Sequence, residues 1–156
     1  MVAEYQYYHG AVLHELVLQV PGGVSIVSRD LYGRPDAYLV QNRVGLLIKH
    51  SSKRLTPWTF TFRPEHLLEV HSLCGQAQDV FVCFVCGDDG IACVPVQSLI
   101  AVLDSNASEQ AWIRVERRPG EMYRVTGAGG DVRYKLARGV DAIVAILKQA
   151  EPSGPS

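Results

Sequence analysis

Two short apolar runs, Ala37–Gln41 and Val44–Ile48, stand either side of the dipeptide Asn42-Arg43. Runs this short, parted by two turn-prone residues, read as a β-hairpin, and asparagine tolerates the positive φ such turns use. A two-residue turn sets the register: 41 faces 44, 40 faces 45, and Asp36 faces Lys49. Directly opposed residues of an antiparallel ladder stand about 5 Å apart at Cβ. The chain is thus expected to build a sheet around a hairpin whose open end holds a carboxylate beside an ammonium. Such a pair is either the start of a phosphodiester-cleaving site or an ordinary cross-strand ion pair.

Upstream, residues 3–19 read as a helix stopped by Pro21-Gly22-Gly23. Tyr5, Tyr8, Ala11, Val12 and Leu16 fall on one arc of its wheel with Glu15 in the middle, which makes Glu15 a candidate inward carboxylate. Val24–Ser28 is a short strand. Downstream, PWTFTF alternates like a half-buried strand, and Arg63-Pro64-Glu65 opens a helix that ends near Gly75. The continuous apolar run DVFVCFVC reads as a buried strand, followed by a GDDG turn, the strand IACVPV and the short helix QSLIAVL. The last third offers the strand AWIRVERR, a hairpin of YRVTG and DVRYKL, the helix VDAIVAILKQA and a disordered tail at 151–156.

Charge is unevenly spread although the net value is −1. Residues 43–63 hold Arg43, Lys49, Lys53, Arg54 and Arg63 without an acid, whereas 76–109 hold five acids without a base. A molecule with one basic side can hold a polyanion despite a neutral total; the same runs also fit ordinary solvated faces. Cys83 and Cys86 have a metal-like spacing, but residues three apart on a strand point to opposite faces, so buried thiols are expected. The N-terminus lacks the pattern of a signal peptide and no apolar run spans a membrane, so a soluble, cytoplasmic protein is expected.

The order helix, strand, hairpin with Asp then Lys, helix, buried strand resembles the PD-(D/E)XK, or restriction-endonuclease-like, nuclease superfamily. Pro35-Asp36 is similar to the family's PD step, and Lys49 in LLIKHSS to its lysine. Glu15 stands where many members carry a first-helix acid. The segments FTFRPEHLLEV and DVFVCFVCGDDGIACVPVQSL also resemble the stretch that follows the lysine in small members. The likeness covers about residues 3–103. It implies an α/β fold, a mixed β-sheet flanked by helices, in one domain (1–150) with residues 104–150 as a C-terminal hairpin and helix extension.

The resemblance further implies catalytic roles for Asp36, Lys49 and Glu15, and a Mg²⁺ or Mn²⁺ ion held by Asp36 with Glu15, Glu65 or Glu69. The family's second acid belongs two residues before the lysine, where this chain has Leu47. A divalent ion needs several hard oxygen ligands, so another carboxylate has to replace it. Glu65 and Glu69 lie one turn apart on the second predicted helix, from which some relatives draw that ligand; as residues alone they read equally as a helix-end charge and a solvated side chain. Arg43, His50, Lys53, Arg54 and Arg63 are the candidate nucleic-acid contacts. The function implied is DNA binding, with metal-dependent cleavage if the site is complete, in a defence, repair or mobile-element setting. The alternative is a catalytically inactive nuclease-like protein acting as a regulatory or interaction subunit, as a homodimer or with a protein partner.

Overall fold

The structure, a computed structural model, describes residues 1–31, 34–103 and 111–149. The expected tail at 151–156 lies outside these residues. Among the described residues the elements follow in the order α1 (Glu4–Gln19), β1 (Ile26–Leu31), β2 (Arg34–Val40), β3 (Val44–Ser51), β4 (Trp58–Phe62), α2 (Pro64–Cys74), β5 (Asp79–Cys86), β6 (Gly90–Pro95), α3 (Val96–Val102), β7 (Ala111–Glu116), β8 (Arg124–Gly127), β9 (Gly130–Asp131) and α4 (Asp141–Lys148). The expected mixed sheet flanked by helices is present, with strand order β1-β2-β3-β5-β6. Strand β5 runs parallel to β3 over its whole length, and the other neighbours are antiparallel.

The apolar run of β5 is explained by its place. Val80, Val82, Phe84 and Cys86 pack on one face with α2 and α3, while Phe81, Cys83 and Val85 pack on the other with α1 and α4. A strand buried on both faces has no polar side, hence no alternation. Cys83 and Cys86 accordingly lie on opposite faces, both buried. The nearest thiol to Cys83 is Cys93, directly across on β6 with the sulfurs 3.5 Å apart.

The C-terminal third holds the expected hairpin, β8 with β9, and the expected helix α4, within a larger sheet. Strand β4 leaves the first sheet and pairs with β7, giving a second antiparallel sheet of order β4-β7-β8-β9. Its inner side chains, among them Trp58, Phe60, Phe62, Ile113, Val115 and Val125, close the core on the α2 and α3 side. The predicted strand DVRYKL is reduced to β9, with a single further bridge between Tyr123 and Leu136.

Both longer N-terminal helices begin the same way. The N3 side chain reaches back to the N–H of the preceding cap residue: Gln6 Oε1 accepts from Ala3 at 2.7 Å, and His66 Nδ1 accepts from Arg63 at 3.1 Å. Each satisfies one of the donors that a helix start leaves open.

Candidate functional site

The hairpin closes through three residues rather than two. Val40 pairs with Val44 and Ala37 with Leu47, so Gln41, Asn42 and Arg43 form the turn. Gln41 and Asn42 both adopt left-handed backbone, φ 53° and 55°, and the Arg43 N–H donates to Val40 O at 2.9 Å. Glutamine rarely adopts this conformation. It is held there by Ser25: the Gln41 N–H donates to Ser25 O at 2.8 Å, and Gln41 Oε1 accepts from the Ser25 N–H at 2.7 Å.

This one-residue difference corrects the expected pairing of Asp36 with Lys49. A shift of one residue exchanges sheet faces. Asp36 lies on the face of Tyr38, toward α1; Lys49 lies on the face of Leu47, toward α2. The sheet itself separates them.

On the α1 face, Asp36 belongs to a cluster of rings. His9, buried on α1, has Nδ1 2.8 Å from the Tyr38 hydroxyl. Tyr5 meets His9 edge-on, and Tyr8 stacks on His50 with centroids 4.4 Å apart and planes 7° from parallel. Burial lowers the pKa of His9; nearby Asp36 opposes this and His50 adds to it. Burial raises that of Tyr38, with Tyr5 and Asp36 contributing in the same direction. Neither His9 nor Tyr38 was expected to matter. The signal for His9 was its spacing: it stands three and seven residues before Val12 and Leu16, and these three are the buried positions of α1.

That stripe also corrects the placing of Glu15, which is only half-buried and off the stripe's centre. Its Oε2 accepts from Gln19 Nε2 at 2.8 Å. It lines an open cleft of about 650 Å³ between α1 and the β5–β6 turn, together with Tyr8, His14 and Asp88.

On the α2 face, Lys49 Nζ is 3.3 Å from His66 Nδ1 and 4.7 Å from the centre of the Phe62 ring. His66 Nδ1 thus meets two donors, Lys49 and the Arg63 N–H, which places the imidazole proton on Nε2. Glu69 is fully buried on the side of α2 that carries Val70 and Leu73 inward, and Glu65 is half-buried one turn earlier. For Glu69 the solvated reading is therefore wrong.

These positions test the implied metal. Asp36 and Glu15 lie on one side of the sheet, Glu65 and Glu69 on the other, and Leu47 is buried in the core on the α2 side. Among the described residues no three His, Cys, Asp or Glu side chains come together as a metal-ligand group. The expected combination of Asp36 with an α2 carboxylate does not fit a divalent ion.

The candidate nucleic-acid contacts divide similarly. Arg43 sits in the hairpin turn, where Nη1 donates to Gln149 O at 2.8 Å and ties the end of α4 to the sheet. Lys53 and Arg54 are exposed beyond the opposite end of β3, and Arg63 is exposed at the start of α2. His50 lies under Tyr8 on the α1 face.

One polar centre carried no expectation. Asp89, in the β5–β6 turn, accepts from Arg117 Nε at 2.8 Å and Nη2 at 2.6 Å, and from the Tyr123 hydroxyl at 2.6 Å. The Arg117 hydrogen bonds, with help from Tyr123 and against partial burial, hold the Asp89 carboxyl below its usual range. This clamp joins the first sheet to the second. The described residues contain no helix long and apolar enough to cross a membrane.

No known family pattern matches the sequence. No curated protein matches it either. Among solved structures, the fold is similar to Hjc of Archaeoglobus fulgidus, a Holliday junction resolvase from an archaeal hyperthermophile, with a TM-score of 0.44 and 10% sequence identity over 72% of this chain and 85% of that one.

Proposed function

We propose that the protein binds DNA on a restriction-endonuclease-like scaffold, and that Asp36 and Lys49 do not operate as one metal-dependent hydrolytic centre. The observation that carries this reading is the placement of Asp36 and Lys49 on opposite faces of the sheet. In-line hydrolysis needs the metal ligands and the water-orienting lysine around one phosphate, and this hairpin points them apart. What supports the DNA ligand is the run of cations at the far end of β3. Lys49 shares His66 with the Arg63 backbone, and Lys53 and Arg54 follow, exposed, on the next loop. No acid interrupts residues 43–63.

The test is duplex binding by fluorescence anisotropy across a salt series, beside a cleavage assay with Mg²⁺ and Mn²⁺. Binding should weaken steeply with salt, and the Lys53→Ala/Arg54→Ala variant should make the log–log slope shallower by about two. Asp36→Ala should leave affinity unchanged. Cleavage by the wild type that Asp36→Ala abolishes would overturn the non-hydrolytic part.

A second reading, docking of a protein partner, has its own observation: the outer side of α1 exposes Tyr7, Val17 and Leu18. Absence of any salt-dependent DNA binding, with a complex that Leu18→Glu disrupts, would favour it.

A further inference from the structure

The two faces of the second sheet differ in kind. The inner face is apolar and buried. On the outer face the register sets Thr61 beside Trp112, Thr59 beside Arg114, and Glu116 beside Arg124. An antiparallel sheet with one face in water is expected to carry small polar and charged side chains there. Threonine and arginine meet that expectation; Trp112, 38% exposed, does not. The Arg114 guanidinium lies over its ring, 5.9 Å from the centre, so a base would stack on the opposite face.

Charge narrows the occupant. Arg114 and Arg124 share the face with Glu116 and with Asp131, which Thr126 holds by a hydrogen bond of 2.8 Å, and Arg63, exposed, continues directly from the β4 end beside Trp112. The contact of Arg114 with Glu116 is 3.9 Å long between two half-exposed side chains. Exposed pairs of this kind are weak, so the guanidinium can turn to an anion at little cost. An accessible indole with arginines on the same surface matches what an unpaired nucleotide presents: a flat base and a phosphate on each side. In a duplex the base faces are hidden by stacking, so such a ring selects single strands.

We propose that this outer face binds single-stranded nucleic acid, with a base stacked on Trp112 and the neighbouring phosphates held by Arg114 and Arg124. It shares its ligand class with the reading above and rests on it to that extent, but the site is separate from Lys49, Lys53 and Arg54, and the form of the ligand is different.

The probe is a short oligothymidylate, and the readout is intrinsic fluorescence. The only other tryptophan, Trp58, is 2% exposed, so quenching reports on Trp112. The wild type should be quenched on titration. Trp112→Thr, which matches the adjacent threonines and keeps strand propensity, should weaken oligothymidylate binding in anisotropy about tenfold or more. Trp112→Tyr should restore most of that affinity, and Arg114→Gln should lower the salt dependence. Duplex binding should be unchanged in Trp112→Thr. If the protein binds duplex but not oligothymidylate, or if Trp112→Thr binds oligothymidylate like wild type, this proposal falls and the earlier reading stands. If it binds neither, both fall. If Trp112→Thr instead abolishes a protein complex and leaves nucleic-acid binding intact, the face belongs to a protein partner and the proposal is overturned.

Discussion

His9 is a histidine that the fold makes harder to protonate. Burial lowers its pKa from 6.5, although Asp36 pulls the other way, while His50, Tyr38 and Tyr5 complete its surroundings. Folded chains therefore bind fewer protons at this site than unfolded ones. Its contribution to stability is whole above the ordinary value of 6.5 and drains as pH falls below it. Urea unfolding at several pH values should show this loss in the wild type, and His9→Phe should lose less stability across the same range; parallel curves would disprove the assignment. The sequence pattern held enough to find His9, since it shares a helical stripe with Val12 and Leu16. It did not hold enough to place Asp36 and Lys49. Their faces depend on whether Gln41 is the last strand residue or the first turn residue. Gln41 takes the turn because Ser25, sixteen residues away, bonds both its backbone and its side chain. Local propensity carries no trace of that partner.

Elements were legible where their pattern is local. The alternation of β4, the proline that opens α2, and the continuous apolar β5 all lead to the observed structure within a residue or two. Partner choice was not. Alternation says that β4 has one dry face but not that it pairs with β7, some fifty residues on. The junction of the second sheet with α3 makes its own prediction. A methyl group on Gly127 would run into the backbone carbonyl of Val102, which the neighbouring Gly129 N–H also uses as an acceptor. Gly127→Ala should therefore destabilise the protein by about 2 kcal/mol, as overpacking does elsewhere. Gly130→Ala meets no such neighbour but has φ 128°, so it separates backbone strain from steric crowding. Denaturant midpoints of the two variants decide between these causes.

Over the whole molecule, two sheets close on one core from opposite sides, and Asp89 fastens them at the edge. Removing one partner of a part-buried, hydrogen-bonded ion pair leaves the other charged and less well solvated, a loss of about 2 kcal/mol. Asp89→Ala should approach that figure. Because the Asp89 carboxyl is held below its usual range, mainly by Arg117, its contribution is present above the ordinary carboxylate value of 3.8 and vanishes as pH falls through the folded one. Hydrogen exchange adds a spatial test: in Asp89→Ala, amides of β7 and β8 should lose more protection than those of β3 and β5. Equal loss in both sheets would mean that the clamp stabilises the fold without coupling its halves.

The turn at Gln41–Arg43 also limits how this chain can vary over time. Side chains alternate along a strand, so the loop acts as a parity setting for everything before it. Losing or gaining one residue there would swing Ala37 and Leu39 to the α1 side and Tyr38 and Val40 into the space that Leu47 and Leu73 now fill. Two residues could come or go without that exchange. Lineages of this fold should therefore tolerate hairpin loops that differ in length by even steps, and a lineage that crossed to the other parity would have to rebuild both sides of β2 at once.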